Sequence, residues 1–378
     1  MKVLQLGKFY PVRGGVEKVM YDLFEGLNAD GIHCDMLCAR IEEGTPECVP
    51  SAGSGRLVAV KALAKLAGTM IAPSMPRRLR RLVREENYDL IHVHHPDPMA
   101  ALSLLLSGYK GKVVLHWHSD ILSQKFFLAF YKPLQNWLIR RADLILGTTP
   151  VYVEQSPHLA AARASHKRIS FLPIGVRPLR NAASDASLAA EVGRLRSELG
   201  GRRIIFSLGR LIPYKGYETL IEAAALLPDD CIVVIGGGGP LEASLRAKVS
   251  DMGLEDKVRL LSRVPEGETD LWYNACDLFC MSSVWKTEAF GIVQIEAMSL
   301  GKPLVATRIP ESGVSWVNEE GVSGLNAEPG DPRSLADCIL AVLEDAEKYS
   351  LGAAQRYAAN FTYGRMIERC KDFYGKIL

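Results

Sequence analysis

The sequence lacks the features that would place a chain in the membrane or on nucleic acid. No uninterrupted apolar run reaches the ~18 residues that a membrane-spanning helix needs, and the longest candidate, residues 99–106, is expected to be a buried helix. The apolar stretch that begins at Val3 is too short for the core of a signal peptide. A net charge of only +2 gives no general reason to expect nucleic-acid binding. We therefore expect a cytoplasmic protein, either free or peripheral on the inner face of the cytoplasmic membrane.

The cysteines and histidines lack the spacings of disulfide and metal sites. No Cys-x-x-Cys pair occurs among the eight cysteines, and most stand in apolar segments such as residues 276–280, which is typical of reduced thiols in a core. His92, His94, His95 and His116 fall on two different predicted strands, and no HExxH motif is present. We expect no metal site, and a buried, hydrogen-bonded ring is the default interpretation of these four histidines.

Strand-like and helix-like segments alternate along the whole chain, which predicts an α/β fold with doubly wound parallel sheets. The length of 378 residues suits two globular domains at roughly 150 residues each. Glycine and proline at residues 173–178, followed by a small-residue segment at 181–190, indicate a linker. We predict a first domain over residues 1–180, a second over residues 181–360, and a C-terminal helix over residues 361–378 that packs on either domain, including a crossing back to the first.

The predicted elements are set by apolar periodicity. The predicted strands are residues 3–7, 33–38, 90–94, 113–117, 144–147, 204–208, 232–235, 258–261, 278–281 and 304–306. The predicted helices include residues 16–27, 76–86, 124–141, 216–227, 241–252, 290–300 and 334–343.

The most informative motif runs from Glu288 to Glu296, across a turn and the start of a predicted helix. Gly291 leaves the helix start open, where unpaired N–H groups and the helix dipole favour an anion. A pyrophosphate on that helix end, with one carboxylate toward a sugar and the other toward a ribose diol, would form a nucleotide-sugar site. Arg210 and Lys215 follow a predicted strand and offer a guanidinium fork and a point charge to phosphate oxygens. Surface charges around a turn are the alternative.

Other candidate residues also follow predicted strands, where open parallel sheets bind their ligands. The pieces are Gly14-Gly15-Val16-Glu17, His118-Ser119-Asp120, Gly209-Arg210-Leu211 with Lys215-Gly216, Gly236-Gly237-Gly238-Gly239-Pro240-Leu241, and the run from Glu288 to Glu296. In this order and at these separations they resemble the GT-B glycosyltransferases of family four over nearly the full chain. Within that family, residues 7–11 and 117–120 resemble bacterial mannosyl- and rhamnosyltransferases of O-antigen and exopolysaccharide assembly.

The resemblance implies a GT-B fold, with an N-terminal acceptor-binding domain and a C-terminal donor-binding domain facing across a cleft. It implies a retaining transfer of a hexose, mannose or rhamnose from a GDP-sugar, to a glycan or a polyprenyl-diphosphate-linked saccharide. The implied catalytic residues are His118, Arg210, Lys215 and Glu288. The expected donor-binding residues are Gly14, Gly15, Gly209, Gly238, Val264, Phe290, Gly291, Ile292 and Glu296. Acceptor-side contact is the hypothesis for His94 and Asp120.

Two alternatives stay open on function. If the main chain of residues 262–265 contacts the base of the donor nucleotide, no side chain indicates which base is bound. A UDP-sugar donor is therefore the alternative to a GDP-sugar. A GT-B nucleotide-sugar epimerase or hydrolase is the other alternative. Two aspartates separated by one residue, which GT-A transferases typically use to hold a divalent metal, occur nowhere in the chain, so we expect neither a metal nor another cofactor.

A basic stretch in the first half allows two interpretations. Either its charges lie on the solvated faces of two helices, or they bind anionic lipid headgroups and give access to a lipid-linked acceptor. The residues are Lys61, Lys65, Arg77, Arg78, Arg80, Arg81 and Arg84, interleaved with Leu63, Leu66, Leu79 and Leu82.

Overall fold

The computed structural model describes residues 1–40, 42, 44–66, 69–121, 125–265 and 267–378. Contacts within the chain divide it into two compact units. The first consists of Met1–Ile174 together with Tyr363–Leu378, and the second is Gly175–Thr362. The division falls at residue 174, six residues before the predicted domain boundary, and it places the last helix with the first unit.

The first unit is built on a mostly parallel sheet with the strand order β10-β9-β8-β7-β1-β2-β4-β3. Its strands are β1 Lys2–Phe9, β2 His33–Arg40, β3 Cys48–Pro50, β4 Arg56–Lys61, β5 Ala64–Leu66, β6 Thr69–Ile71, β7 Leu90–His95, β8 Lys112–Trp117, β9 Leu144–Gly147 and β10 Ile169–Phe171. Its helices before residue 175 are α1 Gly15–Ala29, α2 Met75–Glu86, α3 Pro98–Ser107, α4 Lys125–Arg141, α5 Pro150–Gln155 and α6 Ala160–Ala164. Only β3 runs antiparallel to its neighbour in this described sheet, and β5 and β6 pair separately.

The second unit contains a parallel sheet with the strand order β13-β12-β11-β14-β15-β16. Its strands are β11 Arg203–Leu208, β12 Cys231–Gly236, β13 Val258–Leu260, β14 Leu278–Cys280, β15 Leu304–Thr307 and β16 Gly324–Ala327. Its helices are α7 Ala186–Glu198, α8 Tyr217–Ala224, α9 Glu242–Asp251, α10 Thr269–Ala275, α11 Ile292–Ser299, α12 Val314–Val317, α13 Pro332–Glu344 and α14 Ala346–Asn360. The chain then returns to the first unit as α15, Tyr363–Gly375.

Burial on both faces explains why the central strands are so apolar. β12 is buried along its whole length, as are β7, β9 and β15, which is typical of parallel strands covered by helices on two sides. The carboxyl ends of these strands meet at one edge of each sheet, so the loops that follow them come together there. Those loops carry most of the candidate residues.

One of the two helices expected for the basic stretch is absent from the structure. Residues 61–66 are not helical, because Lys61 ends β4 and residues 64–66 form the first strand of the β5–β6 hairpin. Arg77 to Arg84 do lie on a helix, α2, whose Leu79 and Leu82 are fully buried. Residue 124, the predicted start of the helix over residues 124–141, lies outside the described residues.

The apolar segment at 99–106 forms α3, as predicted, but it is buried on one side only. Asp97 caps its start by accepting hydrogen bonds from the backbone N–H groups of Met99 and Ala100. Leu105 and Leu106 near its end are exposed. None of the described helices combines the length and the apolar character that a membrane crossing requires.

Candidate functional site

In the second unit, Lys215 and Glu288 form an ion pair at the carboxyl edge of the sheet. Lys215 Nζ donates to Glu288 Oε2 over 2.5 Å, and both side chains are only 12% exposed. Ser283 Oγ donates to the same carboxylate oxygen over 3.1 Å. The pair joins two loops, one after β11 and one after β14, and it sets a cation beside a carboxylate in a largely desolvated place.

Hydrogen bonds between these two loops explain how residues so far apart in sequence meet. Ser282 Oγ donates to the carbonyl of Lys215 over 3.0 Å, and the N–H of Val284 donates to the carbonyl of Tyr214 over 2.8 Å. Gly216 has a φ of +67°, and a Cβ placed on it would lie 2.0 Å from the carbonyl oxygen of Ser282. The loops approach each other this closely because residue 216 has no side chain.

The glycine-rich loop after β12 is fixed in a similar way. The N–H of Gly209 donates to the carbonyl of Gly236, and that of Leu211 donates to the carbonyl of Gly238. The N–H of Gly237 donates to the carbonyl of Ser262 over 2.7 Å. The loops after β11, β12 and β13 are therefore held together by backbone bonds, and the donor-binding roles of Gly209 and Gly238 stay predictions.

Glu296 lies on α11 and contacts a different residue from those of the Lys215–Glu288 ion pair. Tyr273 Oη donates to Glu296 Oε2 over 2.8 Å, and burial, followed by the charge of Glu296, raises the pKa of Tyr273 well above its ordinary value. Gly291 caps the N-terminus of α11 with a φ of +77°, and a Cβ there would come within 2.7 Å of Met281 Sδ. The helix begins at Ile292 rather than at residue 290, and the open approach expected at Gly291 stays a prediction, because Met281 and Gln294 lie close to this glycine.

The remaining donor-side candidates differ in what they can offer. Arg210 is exposed, with a long 3.4 Å contact from its Nη2 to Tyr214 Oη, so it is accessible to a phosphate. Phe290 is buried and packs edge-on against Phe361, so its main chain is what remains for a ligand. Val264 and Ile292 are half-buried. Their donor-binding roles stay predictions.

In the first unit, Gly14 and Gly15 are exposed at the N-terminus of α1. Gly14 is the N-cap in an extended conformation, and a Cβ on it would lie 2.5 Å from Glu17 Oε2. The carboxylate of Glu17 therefore fills the place that a side chain at residue 14 would take, and the donor-binding roles of Gly14 and Gly15 stay predictions.

Four histidines of the first unit come together on one face of its sheet. Strands β7 and β8 are parallel neighbours, with His94 directly opposite His116, so alternation places His92 and His118 on the same face. The ring centroids of His116 and His118 are 3.9 Å apart, and those of His94 and His118 are 5.2 Å apart. Burial lowers the pKa of each of the four, that of His116 to about 3. All four rings are therefore neutral at physiological pH.

The separation of these histidines onto two strands does not keep them apart, so that reason for expecting no metal was wrong. His92, His94 and His116 bring one ring nitrogen each within 4.8 Å of the others. However, both nitrogens of His94 are already hydrogen bonded, to His118 and to Gln5. The three rings lie within 36° of parallel, so their in-plane lone pairs run side by side instead of converging on one ion. That no metal binds here stays a prediction.

The acceptor-side hypothesis for His94 is corrected by its burial. Its side chain is fully buried, and both ring nitrogens have protein partners, so it does not present a polar atom to an acceptor. Asp120 is also buried, and its Oδ1 accepts from Trp117 Nε1 over 2.9 Å and from Ser156 Oγ over 2.7 Å. These contacts fix the loop that carries His118, so Asp120 stabilises that loop.

Sequence reasoning missed several partners of the candidate residues. Ser283 and Tyr273 hold the two glutamates, and Gln5 and Tyr374 lie behind the histidines. Ser283 is the second residue after the predicted strand 278–281, which could have signalled it. Tyr374 stands 369 residues from Gln5, and no local pattern could have connected them.

Comparison with known proteins matches both halves of the chain. Residues 14–175 match the family described as glycosyl transferase 4-like domain, and residues 195–358 match glycosyl transferases group 1. Among solved structures, sucrose-phosphate synthase from Thermosynechococcus elongatus superposes with a TM-score of 0.78 at 20% identity, covering 100% of this chain and 99% of its own. Anabaena HepE in complex with UDP-glucose gives 0.72 at 21% identity, covering 100% of both chains. These likenesses confirm the fold.

Two relatives that align with nearly the whole chain show which family it belongs to. The chain is 28% identical to O-antigen chain mannosyltransferase C of Escherichia coli over 100% of this chain and 99% of the relative. It is 30% identical to D-rhamnosyltransferase WbpZ of Pseudomonas aeruginosa, over 96% of this chain and 92% of the relative. With both family models matched in order and relatives aligned from end to end, the chain belongs to the family-four glycosyltransferases of the GT-B fold.

Proposed function

We propose that this glycosyltransferase is a metal-independent, retaining enzyme that transfers mannose or rhamnose from a GDP-sugar during bacterial surface polysaccharide synthesis. As a glycosyltransferase it takes a sugar from a nucleotide-sugar donor to a saccharide acceptor. The choice of sugar is supported by the names of the two relatives above and by a GDP-mannose-dependent mannosyltransferase of Mycobacterium tuberculosis, 26% identical over 98% of this chain.

The Lys215–Glu288 ion pair is the observation that carries the proposal. An ammonium has three N–H donors, and only one of those of Lys215 is engaged by Glu288. The others can bind a diphosphate, whose negative charge grows as it leaves, so the interaction strengthens in the transition state. Glu288 holds the lysine in place and accepts from the hydroxyls of the donor sugar.

The diphosphate is also bound by a helix N-terminus and by a second cation. The α11 N-terminus after Gly291 provides unpaired N–H groups and the positive end of the helix dipole. Arg210 adds a second cation from an exposed position. Together these groups supply the positive potential that a divalent metal supplies in other transferases, which supports metal independence.

Glu296 binds the ribose diol of the donor in this proposal. Tyr273 orients its carboxylate from α10, so a ribose meets a fixed acceptor. Main-chain groups of the loops after β12 and β13 lie next along the same sheet edge and contact the base.

Retention of the donor sugar's anomeric configuration follows from substitution on one face of the sugar. The bond from the anomeric carbon to the diphosphate oxygen breaks while the acceptor oxygen bonds to that carbon on the same face. The acceptor's hydroxyl proton passes to the departing phosphate oxygen, which becomes more basic as it leaves. Lys215 and Arg210 stabilise the diphosphate through this step.

The acceptor is a glycan or a polyprenyl-diphosphate-linked saccharide, reached at a membrane surface. Support comes from α2, which buries Leu79 and Leu82 and exposes four of its five arginines. Of these four, Arg80 donates to the carbonyl of Leu106 and Arg81 pairs with Glu85. The β5–β6 hairpin nearby in sequence exposes Leu63 and Leu66 by 72% and 53%. Cationic side chains with exposed leucines are suited to anionic lipid headgroups and the apolar layer beneath them.

A donor panel tests the proposal. GDP-mannose, GDP-rhamnose, UDP-glucose and UDP-N-acetylglucosamine are compared by thermal shift at equal concentration, with and without EDTA. A donor at about 100 times its Kd stabilises the fold by about 2.7 kcal/mol, so a GDP-sugar should raise the Tm most and EDTA should leave the rise unchanged. A rise with the UDP-sugars alone would replace the GDP assignment, and consumption of donor without acceptor would favour a hydrolase or epimerase.

The variant Glu296→Gln separates ribose binding from folding. It keeps the size of the side chain and its contact with Tyr273 but removes the charge. The Tm without donor should stay near that of the parent, while the donor-induced rise should shrink. The same rise in both proteins would contradict the ribose role.

A further inference from the structure

His118 is connected to the C-terminal helix by an unbroken series of buried hydrogen bonds. His118 Nε2 and His94 Nδ1 are 2.9 Å apart, and His94 Nε2 is 2.7 Å from Gln5 Oε1. Gln5 Nε2 donates to Tyr374 Oη over 3.1 Å, and Tyr374 Oη is 2.6 Å from His92 Nδ1. The five side chains are 0–4% exposed, and all belong to the first unit. We call this series the relay.

Every member of the relay has a fixed number of protons. Burial lowers the pKa of His92, His94 and His118 well below the ordinary value, so each ring is neutral and carries one N–H. Burial raises the pKa of Tyr374 well above its ordinary value, so its hydroxyl keeps its proton. Each contact therefore needs one donor and one acceptor.

These constraints assign the tautomer of His118. The amide nitrogen of Gln5 faces Tyr374, so its oxygen faces His94 and must accept from His94 Nε2–H. The Nδ1 atom of His94 is then a lone pair, and it must accept from His118 Nε2–H. The lone pair of His118 is left on Nδ1, which has no hydrogen-bond partner among the described residues.

The opposite direction of the relay would give the other tautomer. If the Gln5 amide were turned around, its NH₂ would donate to His94, and His94 Nδ1–H would donate to His118 Nε2. His118 would then carry its proton on Nδ1 and present a donor instead of an acceptor. The structure has the first direction, in which Gln5 Nε2 donates to the Tyr374 hydroxyl and the hydroxyl proton is left for Nδ1 of His92.

We propose that Tyr374 is a positioning residue for the transfer reaction, which through Gln5 and His94 keeps a lone pair on Nδ1 of His118. This inference rests on the proposed function and on the role in transfer that the family resemblance implies for His118. An imidazole with that lone pair accepts a hydrogen bond from a sugar hydroxyl and cannot donate one. The last helix of the chain thereby determines how the sugar is held, although Tyr374 touches no substrate.

Replacing Tyr374 by phenylalanine removes the acceptor of the Gln5 amide and keeps the ring that fills the core. The amide then keeps only the weak sulfur acceptor of Cys34, so its orientation is less strongly set and His118 divides between its two tautomers. Tyr109→Phe is the matched control, because Tyr109 is a buried tyrosine of the same unit whose hydroxyl donates to the carbonyl of Tyr88 over 2.9 Å. Both variants lose one buried hydroxyl.

The experiment reads the tautomer directly. The full chain is labelled with ¹⁵N-histidine, and the ring nitrogens of His118 are assigned by comparison with His118→Asn. In the parent, we expect the proton on Nε2, with Nδ1 unprotonated. In Tyr374→Phe, we expect mixed tautomers and a fall of about fivefold in kcat, equivalent to about 1 kcal/mol, whereas Tyr109→Phe should match the parent in both.

A proton on Nδ1 of His118 in the parent would overturn the inference, and that result does not depend on any variant folding. An unchanged His118 tautomer in Tyr374→Phe would also overturn it, whatever the activity. Failure of the proposed function looks different. If His118→Asn left turnover unchanged while Tyr374→Phe still mixed the tautomers, the relay would stand and the role of His118 in transfer would be wrong.

Discussion

Acid should destabilise the first unit far more than an ordinary domain, because it buries five neutral histidines. Burial lowers the pKa of every one of them, and the folded state does not take up their protons near pH 6. The residues are His92, His94, His95, His116 and His118. The unfolded chain, with histidine pKa values of about 6.5, does take them up. The unfolded state therefore binds more protons, and the free energy of unfolding falls as the pH drops through about 6.5.

The magnitude follows from the linkage relation. Between about pH 7.5 and about pH 5.5, each histidine that stays neutral in the fold but titrates when unfolded costs about 1.4 kcal/mol. Five such residues cost about 7 kcal/mol, which is comparable with the whole stability of a typical domain, about 5–15 kcal/mol. We expect the first unit to be close to unfolding at the lower pH.

Urea titrations at the two pH values, followed by circular dichroism, measure this loss. His116 is the best residue to replace, because neither ring nitrogen has a partner among the described residues. His116→Leu should reduce the loss by about 1.4 kcal/mol and leave the stability at the higher pH little changed. His166→Asn, which removes an exposed histidine of the same unit, is the control. Equal stability of the parent at both pH values, or an undiminished loss in His116→Leu, would refute the reasoning.

Further predictions concern the glycine loop after β12 and the basic helix α2. Gly237→Ala should cost more than about 2 kcal/mol of stability, because φ is +143° and the new Cβ would lie 1.8 Å from a backbone carbonyl oxygen. Gly238→Ala is the control, since its new Cβ would have its nearest atom at 3.6 Å, and it should keep the parent Tm. Equal Tm values for the two variants would reject this prediction. Replacing Arg77, Arg78 and Arg84 by glutamine should abolish sedimentation with vesicles containing anionic lipid, with purely zwitterionic vesicles as the control, and unchanged sedimentation would reject membrane docking.

The fold could be predicted where apolar segments are long and bounded by glycine. β11 and β12 were expected at residues 204–208 and 232–235, and they extend to Arg203–Leu208 and Cys231–Gly236. The β5–β6 hairpin was mistaken for part of a helix, because short exposed strands do not alternate clearly between apolar and polar residues. Strands of three residues are held by their partners, which the sequence does not show.

The candidate site could be predicted only as separate pieces. Lys215 and Glu288 were assigned separately to phosphate and sugar, and nothing in the sequence indicated that they pair across 73 residues. The histidines were treated as isolated core residues, because the neighbouring order of β7 and β8 is a property of the sheet. The link from Gln5 to Tyr374 depends on the return of the last helix to the first unit.

In the proposed mechanism Lys215 stabilises the departing diphosphate, and the kcat of Lys215→Ala at saturating donor measures that role. Lys248→Ala is the matched control, since Lys248 forms an equally short ion pair of 2.5 Å, with Glu222, in the same unit. We predict that kcat falls about 100-fold or more in Lys215→Ala, the usual cost of removing a group that stabilises developing charge, and stays at the parent value in Lys248→Ala. Parent-like kcat in Lys215→Ala would contradict the account.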